Sequence, residues 1–230
     1  MTDVKSNIEI VRQKVAEAAK RSGRNPSEIK IIAVTKTVPI ELIEQAIQAG
    51  ITDLGENRVQ EAIPKIEILK PRYPQVIWHM IGHLQRNKVK QALPLFDVIQ
   101  SLDSERLAAE INDQATTPRQ VLVEVNVGGE TNKYGLLPAE VIKFLQKLTD
   151  FDRIQCAGLM TVAPWFSDQE KARPYFTQLR KLSETIKKLD LPNVEMKYLS
   201  MGMTEDFSVA IEEGSNMVRI GRAFFGERGS

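Results

Sequence analysis

The sequence contains little cysteine and no long hydrophobic run. Its one cysteine among 230 residues, Cys156, excludes an intrachain disulfide and a cysteine-based metal cluster, and it suits a reducing compartment. No apolar segment approaches the ~18 residues that a membrane-spanning helix needs. The N-terminal segment alternates charged and apolar residues, unlike a secretory signal peptide. We therefore expect a cytoplasmic protein that does not enter a membrane.

The sequence also lacks an excess of charge of either sign. Its 31 Lys and Arg residues and 30 Asp and Glu residues give a net charge of +1. This balance creates no overall field that would attract nucleic acid or an anionic membrane, so an anionic ligand must be held by a local site. The basic stretch RNKVKQ at 86–91 is short and is interpreted as a solvated helix face. We expect no nucleic-acid partner.

Short β-branched segments alternate with helix-period segments along the chain. Helices are predicted at about 5–21, 39–49, 104–114, 138–148 and 167–189. The predicted strands are IKIIAVT, TDLGEN, VIWHMIG, DVIQSLD, QVLVEVNV, IQCAGLMTV, EMKYLSM and MVRIGRAFFG. Eight such units after an N-terminal helix predict an α/β fold, a single TIM-type (β/α)8 barrel domain over 1–230. A doubly wound open sheet is the alternative, although the GxGxxG turn that would favour it is absent.

Lys36 is the first candidate for chemistry. It closes the first predicted strand, and alternation along that strand places it with Ile32 and Val34. At the mouth of an apolar barrel, desolvation disfavours the ammonium and favours the free amine, which can attack an aldehyde and form a Schiff base. The alternative is a strand-end lysine whose side chain reaches into water. Lys36 therefore needs partners at the same mouth.

Candidate partners lie at the ends of the last two predicted strands. The seventh runs into Ser200 and Gly202, and the eighth carries Arg219 and Gly221. Loops after strands seven and eight commonly bind phosphate in this barrel, and a hydroxyl, glycine amides and an arginine suit a dianion. The alternative is that the glycines only permit tight turns and that the arginine pairs with a surface carboxylate.

A helix is predicted to follow the seventh strand. Thr204 is expected to cap it, with Glu205 and Asp206 in its first turn. Because these carboxylates would repel a phosphate on the helix axis, the anion is assigned to the turn from Ser200 to Gly202 and to the amide of Gly221.

Other polar and sulfur-containing residues are weaker candidates. Asn57 ends the second strand, where it can hydrogen-bond a ligand or cap the next helix. His79 and His83 are predicted on one strand face about 13 Å apart, too far to share a metal, and both are interpreted as structural, with His79 closer to the site. Met160 is expected in the core or at the rim, where it can contact a flat ring. Cys156 is expected to be an inert buried thiol.

Seven motifs in order carry a family resemblance. They are AVTKT around Lys36, LGENRVQEA at 54–62, WHMIGHLQRNK at 78–88, VNVGGETNKYG at 125–135, GLMTVAP at 158–164, YLSMGMTEDF at 198–207 and VRIGRAFFG at 218–226. On these motifs the chain resembles the pyridoxal 5′-phosphate (PLP) homeostasis proteins, the YggS/PROSC family, over nearly its whole length. The resemblance implies a barrel similar to the N-terminal domain of bacterial alanine racemase, with PLP as its cofactor.

The resemblance also implies roles for individual residues. Lys36 would form the Schiff base with PLP, and Ser200, Gly202 and Gly221 would hold the phosphate. Arg219 would lie beside the phosphate or the pyridine nitrogen. An arginine at that nitrogen keeps it unprotonated, which makes the ring a weak electron sink.

Racemisation needs a second acid or base on the opposite face of the ring. In racemases this group is a tyrosine from a second domain, and such a domain is not expected here. Tyr134, on the loop after the fifth strand, is the one tyrosine considered for that role. We therefore expect a monomeric, non-catalytic carrier that buffers PLP, with PLP-dependent apoenzymes as candidate partners, and that affects amino-acid and keto-acid balance. The alternatives are a low-activity racemase or lyase, a lysine-dependent aldolase or sugar-phosphate barrel, and an RNA- or protein-binding module.

Overall fold

Eight parallel strands close into a barrel in the computed structural model, which describes residues 3–226. Neighbouring strands pair in chain order, and the last strand pairs with the first through Ile32 and Arg219. The strands are β1 (Lys30–Val34), β2 (Asp53–Glu56), β3 (Ile77–Met80), β4 (Val98–Leu102), β5 (Arg119–Glu124), β6 (Ile154–Met160), β7 (Val194–Met203) and β8 (Met217–Ile220). The predicted TIM-type barrel is confirmed, and the open doubly wound sheet is wrong.

Helices surround the barrel. They are α1 (Val4–Arg21), α2 (Ile40–Gln48), α3 (Val59–Leu69), α4 (Val89–Ala92), α5 (Glu105–Gln114), α6 (Pro138–Leu148), α7 (Arg173–Lys187), α8 (Phe207–Glu212) and α9 (Arg222–Phe225). Short 3-10 turns occur at Pro26–Glu28, Arg86–Lys88 and Gln169–Ala172. Within 3–226, no helix has both the length and the hydropathy that a membrane crossing requires.

The N-terminal helix α1 forms as its periodicity predicts. Asp3 caps it by accepting a hydrogen bond from the backbone N–H of Ser6 at 3.1 Å. The helix packs against α8 and α9. Its buried face repeats at helical spacing and consists of Val4, Ile8, Val11, Val15, Ala18 and Ala19.

Two helix starts differ from the prediction. The segment predicted as a helix from residue 167 becomes α-helical only at Arg173, because Asp168 caps a separate 3-10 turn that comes first. The helix after β7 begins at Phe207 rather than after Thr204, because the Asp206 carboxylate accepts the backbone N–H of Met203 at 2.7 Å and holds the preceding residues in a turn.

Most strands end earlier than predicted, and for two of them this changes the interpretation. β8 ends at Ile220, and α9 follows it. β3 ends at Met80, so His83 lies on a loop and does not share a strand face with His79. The chain leaves the sheet at Gly82, where a Cβ would lie 2.4 Å from the backbone oxygen of Asn57.

The barrel interior contains both apolar and polar side chains. Its apolar cluster consists of Ile32, Leu122, Ala157, Met160 and Met217, all buried. The larger apolar core lies outside it, between the sheet and the helices. Beside the inner cluster runs a set of hydrogen-bonded polar side chains that reaches the carboxyl ends of the strands.

Candidate functional site

A cavity of about 480 Å³ opens at the carboxyl ends of the strands. Its wall includes Lys36, Asn57, Arg219 and Gly221, four of the residues singled out from the sequence. They come from β1, β2 and β8 or from the residues just after these strands, so closing the barrel brings them together. This is the end at which barrels of this class carry their sites.

Lys36 reaches this wall through strand alternation. Ile32 points into the barrel interior, Val34 lines the cavity, and Lys36 lines it two residues further on. Its side chain is half-buried. Lys36 thus lies on the cavity wall, on the side of the strand where alternation predicts it.

Arg219 supplies a fixed positive charge to the cavity wall. Its side chain is 3% exposed and donates to the hydroxyl and carbonyl of Ser200 at 2.6 and 2.9 Å and to the carbonyl of Thr161 at 2.7 Å. Burial lowers the pKa of Arg219 to about 10, against the opposing effect of Asp206 and Glu124. The guanidinium therefore stays protonated at neutral pH, and its hydrogen-bond partners are interior oxygens, so the predicted alternative of a surface ion pair is wrong.

Ser200 and His79 belong to a buried chain of hydrogen bonds that ends at Arg219. The Ser200 hydroxyl donates to Gln100 Oε1 at 2.7 Å, and Gln100 Nε2 lies 3.0 Å from His79 Nδ1. His79 Nε2 lies 3.0 Å from the Asp53 carboxylate. With Gln100 donating to Nδ1, His79 carries its proton on Nε2 and donates to Asp53. We call Asp53, His79, Gln100 and Ser200 the interior network.

Asp53 is the acidic end of the interior network. Burial by itself would raise the pKa of Asp53, but the hydrogen bonds from His79 and Thr52 and the electrostatic attraction of His79 and Lys30 together lower it. Lys30 Nζ lies 3.3 Å from the same carboxylate, at the opposite end of the barrel from the cavity. The network therefore spans the barrel interior from the first residue of β1 to the cavity wall.

The two glycines predicted to hold an anion differ in what their surroundings require. Gly202 has a φ of +91°, and a Cβ there would lie 2.6 Å from Ala210 Cβ, so the packing of α8 already demands glycine. Gly221 has a φ of −118°, and a Cβ there would make only ordinary contact with Val34 at 3.5 Å. Protein packing does not explain glycine at 221, which leaves room for a ligand to approach its backbone.

Asn57 lines the cavity and carries a buried polar atom without a partner among residues 3–226. Its Oδ1 atom is buried and finds no hydrogen-bond partner within the described part of the chain. Such an atom usually has a partner, so a bound ligand can satisfy it.

The other predicted site residues do not line the cavity. His79, Met160, Ser200 and Gly202 are absent from its wall, and Met160 is fully buried in the inner apolar cluster. Their predicted contacts with a ligand stay predictions.

Sequence reasoning missed several residues of the cavity wall. Thr204 lines it, although the sequence interpretation used its hydroxyl as a helix cap. The segment 162–166 forms another wall and contains Phe166 and Trp165, whose side chain is 76% exposed. Glu205 and Arg222 also line the cavity and pair at 2.9 Å. Two sequence features indicate these residues of the wall. They are the Thr204 hydroxyl in the YLSMGMTEDF motif and the aromatic pair, Trp165 and Phe166, directly after GLMTVAP.

A second polar cluster lies beyond β3, β4 and β5. The His83 ring stacks on Tyr134 with centroids 3.7 Å apart, and His83 Nδ1 lies 3.1 Å from the Asp103 carboxylate. Burial raises the pKa of Glu124 to about 7, with a further increase from Asp103 and an opposing effect from Arg219. None of these four residues is part of the cavity wall.

The fold and the site define the chain as a barrel of the alanine racemase N-terminal domain class, whose family model matches residues 4–229. The chain is 41% identical over 221 residues to the pyridoxal phosphate homeostasis protein of Aquifex aeolicus, covering 95% of each chain. Over 233 residues it is 37% identical to the pyridoxal phosphate homeostasis protein of Escherichia coli K12, covering 99% of this chain and 98% of the relative. The chain belongs to the pyridoxal phosphate homeostasis protein family.

Solved structures agree with this assignment. PipY of Synechococcus elongatus, solved with PLP bound, superposes with a TM-score of 0.80 at 32% identity, covering 92% of this chain and 100% of PipY. A Bifidobacterium adolescentis protein described as unknown superposes with a TM-score of 0.92 at 37% identity, covering 96% and 94% of the two chains. The resemblance drawn from the seven motifs is confirmed.

Proposed function

We propose that the protein binds PLP reversibly as a Schiff base on Lys36 and acts as a carrier or buffer in PLP homeostasis. The observation that carries this proposal is that Lys36 and Arg219 line one cavity of about 480 Å³. The PLP-bound PipY structure and the names of the relatives support the same ligand. All residues proposed to hold it come from the one barrel.

The cavity wall suits the chemistry of PLP, which supplies an electrophilic aldehyde and a phosphate. The amine of Lys36 attacks the aldehyde carbon, a C=N bond replaces the C=O bond, and the oxygen leaves as water. Arg219 contributes a permanent positive charge, and the unsatisfied Oδ1 of Asn57 accepts a hydrogen bond from the ligand. The cavity therefore offers a partner for each polar end of the ligand.

The phosphate is proposed to lie beside the backbone of Gly221, with the hydroxyl of Thr204 on the same wall. Ser200 and Gly202 support this end of the cavity from behind: Ser200 hydrogen-bonds Arg219, and Gly202 allows β7 to approach α8 closely. Glu205 is paired with Arg222, which reduces its repulsion of an anion.

A carrier is favoured over a racemase by where the tyrosines lie. Tyr73, Tyr134, Tyr175 and Tyr198 are all described, and none of them lines the cavity. Tyr134, the one considered from the sequence, is 58% exposed and stacks on His83. A second acid on the far side of the ring is thus not supplied by a cavity-lining tyrosine. A cytoplasmic location, a monomeric state and delivery to PLP-dependent apoenzymes are further parts of this proposal.

The test combines absorbance spectroscopy with covalent labelling. The purified protein is expected to absorb in the near-visible after PLP addition, and borohydride is expected to fix the cofactor on the peptide that contains Lys36. Lys36→Ala should abolish this labelling, whereas Lys90→Ala, at an exposed position of α4, should retain it. Labelling of another lysine, or a wild-type protein that takes up no PLP, contradicts the proposal. Exchange of the Cα deuterium of alanine at turnover rates abolished by Lys36→Ala would favour the racemase.

A further inference from the structure

Five polar residues form a hydrogen-bonded cluster around the loop that carries Lys36. They are Thr35, Thr37, Glu56, Glu61 and Lys65, and we call them the Lys65 cluster. Thr35 and Thr37 flank the lysine in the sequence, Glu56 ends β2, and the other two residues project from α3. Lys65, Glu61 and Glu56 do not line the cavity. Any influence on the amine must therefore pass through the loop that carries it.

Lys65 is the centre of this cluster. Its Nζ atom donates to the Thr35 carbonyl at 2.7 Å, to Glu56 Oε1 at 2.8 Å and to Glu61 Oε1 at 3.4 Å. These acceptors account for all three ammonium hydrogens. The residue is only 8% exposed, so the contacts are largely shielded from water. A lysine that merely neutralised a carboxylate would not need to bind the main chain beside Lys36.

The threonine on the N-terminal side of Lys36 is tied down at three points. Its backbone N–H donates to the Gly55 carbonyl at 3.0 Å, and its hydroxyl donates to Glu56 Oε1 at 2.6 Å. Its carbonyl is the oxygen that Lys65 binds. Thr35 is fully buried.

The threonine on the C-terminal side is held in an unusual conformation. Thr37 has a φ of +60°, a left-handed value that a β-branched residue rarely adopts and that must be stabilised by its surroundings. Its backbone N–H donates to Glu61 Oε1, and its hydroxyl donates to the Lys36 carbonyl at 2.6 Å. Glu61 thus binds Thr37 directly, and through Lys65 it is linked to Thr35.

We propose that Lys65 and Glu61 are positioning residues for Lys36: they clamp the residues before and after it and so direct its amine into the cavity. An amine fixed near its attack position reacts faster and holds its adduct longer than one on a mobile loop. This inference rests on the proposed function of Lys36, but it makes a separate statement about the loop.

Glu61→Gln is the first test. It keeps the size of the side chain but replaces the carboxylate, which accepts the Thr37 N–H and faces Lys65, by a neutral amide. Glu44→Gln is the matched control, because Glu44 also pairs with a basic residue, Arg72 at 2.9 Å, and has a similar side-chain exposure of 23% against 28%. Urea unfolding of both variants should give similar midpoints.

Two readouts on full-length protein separate the possible outcomes. Hydrogen exchange of residues 35–38 in the cofactor-free protein should be severalfold faster in Glu61→Gln, because the neutral amide oxygen that replaces the carboxylate is a weaker acceptor for the Thr37 N–H. Formation of the borohydride-trappable PLP adduct should slow, and its release should quicken, by a similar factor. Glu44→Gln should change neither.

Hydrogen exchange and PLP kinetics together distinguish failure of the clamp from failure of the proposed function. Unchanged exchange at 35–38 overturns the clamp, and faster exchange with unchanged PLP kinetics overturns its positioning role while leaving the function intact. A wild-type protein that takes up no PLP overturns both.

A second variant tests Lys65 without leaving buried charge unpaired. Lys65→Met alone would expose Glu56 and Glu61 to each other in a shielded site, which is severely destabilising. The double variant Glu56→Gln/Lys65→Met removes one charge of each sign. It should reproduce the faster exchange and faster PLP release, and a folded double variant with wild-type values for both contradicts the role of Lys65.

Discussion

Arg219 Nη1 lies 2.6 Å from the hydroxyl oxygen of Ser200, and this contact joins the cavity wall to the interior network. A buried guanidinium is stable only if its hydrogen-bond donors find acceptors. Among residues 3–226 the acceptors are one hydroxyl and two carbonyls, so within this part of the chain the charge is oriented without a direct ion pair. Such an arginine remains able to interact with an anionic or electron-rich ligand.

The first prediction concerns Ser200. In Ser200→Ala, Arg219 loses one acceptor and Gln100 Oε1 loses its donor, so we expect the free energy of unfolding to fall by about 1–3 kcal/mol. PLP release should quicken because the guanidinium is less well oriented. Urea unfolding and stopped-flow release measure the two effects. Ser167→Ala, on an exposed loop, is the control, and equal release rates in the two variants would separate Ser200 from the site.

The second prediction compares Gly202 with Gly23, another glycine of positive φ. Gly202→Ala should lower the free energy of unfolding by about 3 kcal/mol or more, because it combines a left-handed φ with a steric overlap at Ala210. Gly23→Ala has a similar φ of +70° but no atom within 4 Å of the added Cβ, so it measures the cost of conformation alone. Its expected cost is about 1 kcal/mol.

Gly221→Ala, unlike Gly202→Ala, is expected to weaken PLP binding and to leave the free energy of unfolding nearly unchanged. Its Cβ has space and its φ is allowed, so stability should change by less than about 1 kcal/mol, while PLP binding weakens because the methyl group enters the cavity. Calorimetry of PLP binding and urea unfolding test both parts. Normal PLP affinity in this variant would remove Gly221 from the phosphate site.

The sequence predicts best those features that depend on local pattern. Alternation in β1 places Lys36 at the cavity, and the alternation of strands and helices predicts the barrel. The interior role of His79 was not predictable, because it depends on Gln100, a partner 21 residues away on another strand. The start of α8 differs from the prediction because two nearby residues, Thr204 and Asp206, can each act as a cap, and only the contact of Asp206 with the Met203 N–H decides between them.

The third prediction concerns the thiol. Cys156 is buried, and burial raises the pKa of its thiol to about 12, so the reactive thiolate is scarce at neutral pH. We expect no reaction with a disulfide reagent in the folded protein and stoichiometric reaction in concentrated urea. The rate should follow unfolding as urea is increased, and rapid labelling of the native protein would show that β6 opens locally.

The last prediction concerns the pH dependence of stability at Glu124. Burial raises the pKa of this carboxyl to about 7 from an ordinary value of 4.5, and its Oε2 atom is buried without a hydrogen-bond partner among residues 3–226. Between these two pH values the folded state binds more protons at Glu124 than the unfolded state does, so its contribution to the free energy of unfolding falls as pH rises from 4.5 to about 7. The loss is at most about 3 kcal/mol.

Glu124→Gln replaces the carboxyl by a neutral amide and should remove this slope. The variant should be about as stable as the wild type at pH 5 and more stable at pH 8, as measured by urea unfolding at each pH. Burial also raises the pKa values of Glu56 and Asp206, which act in the same direction in both proteins, so the difference between wild type and variant isolates Glu124. Glu67→Gln, at an exposed position of α3, should leave the slope unchanged. If wild type and Glu124→Gln show parallel pH profiles, Glu124 is already ionised well below pH 7, and burial does not control its charge.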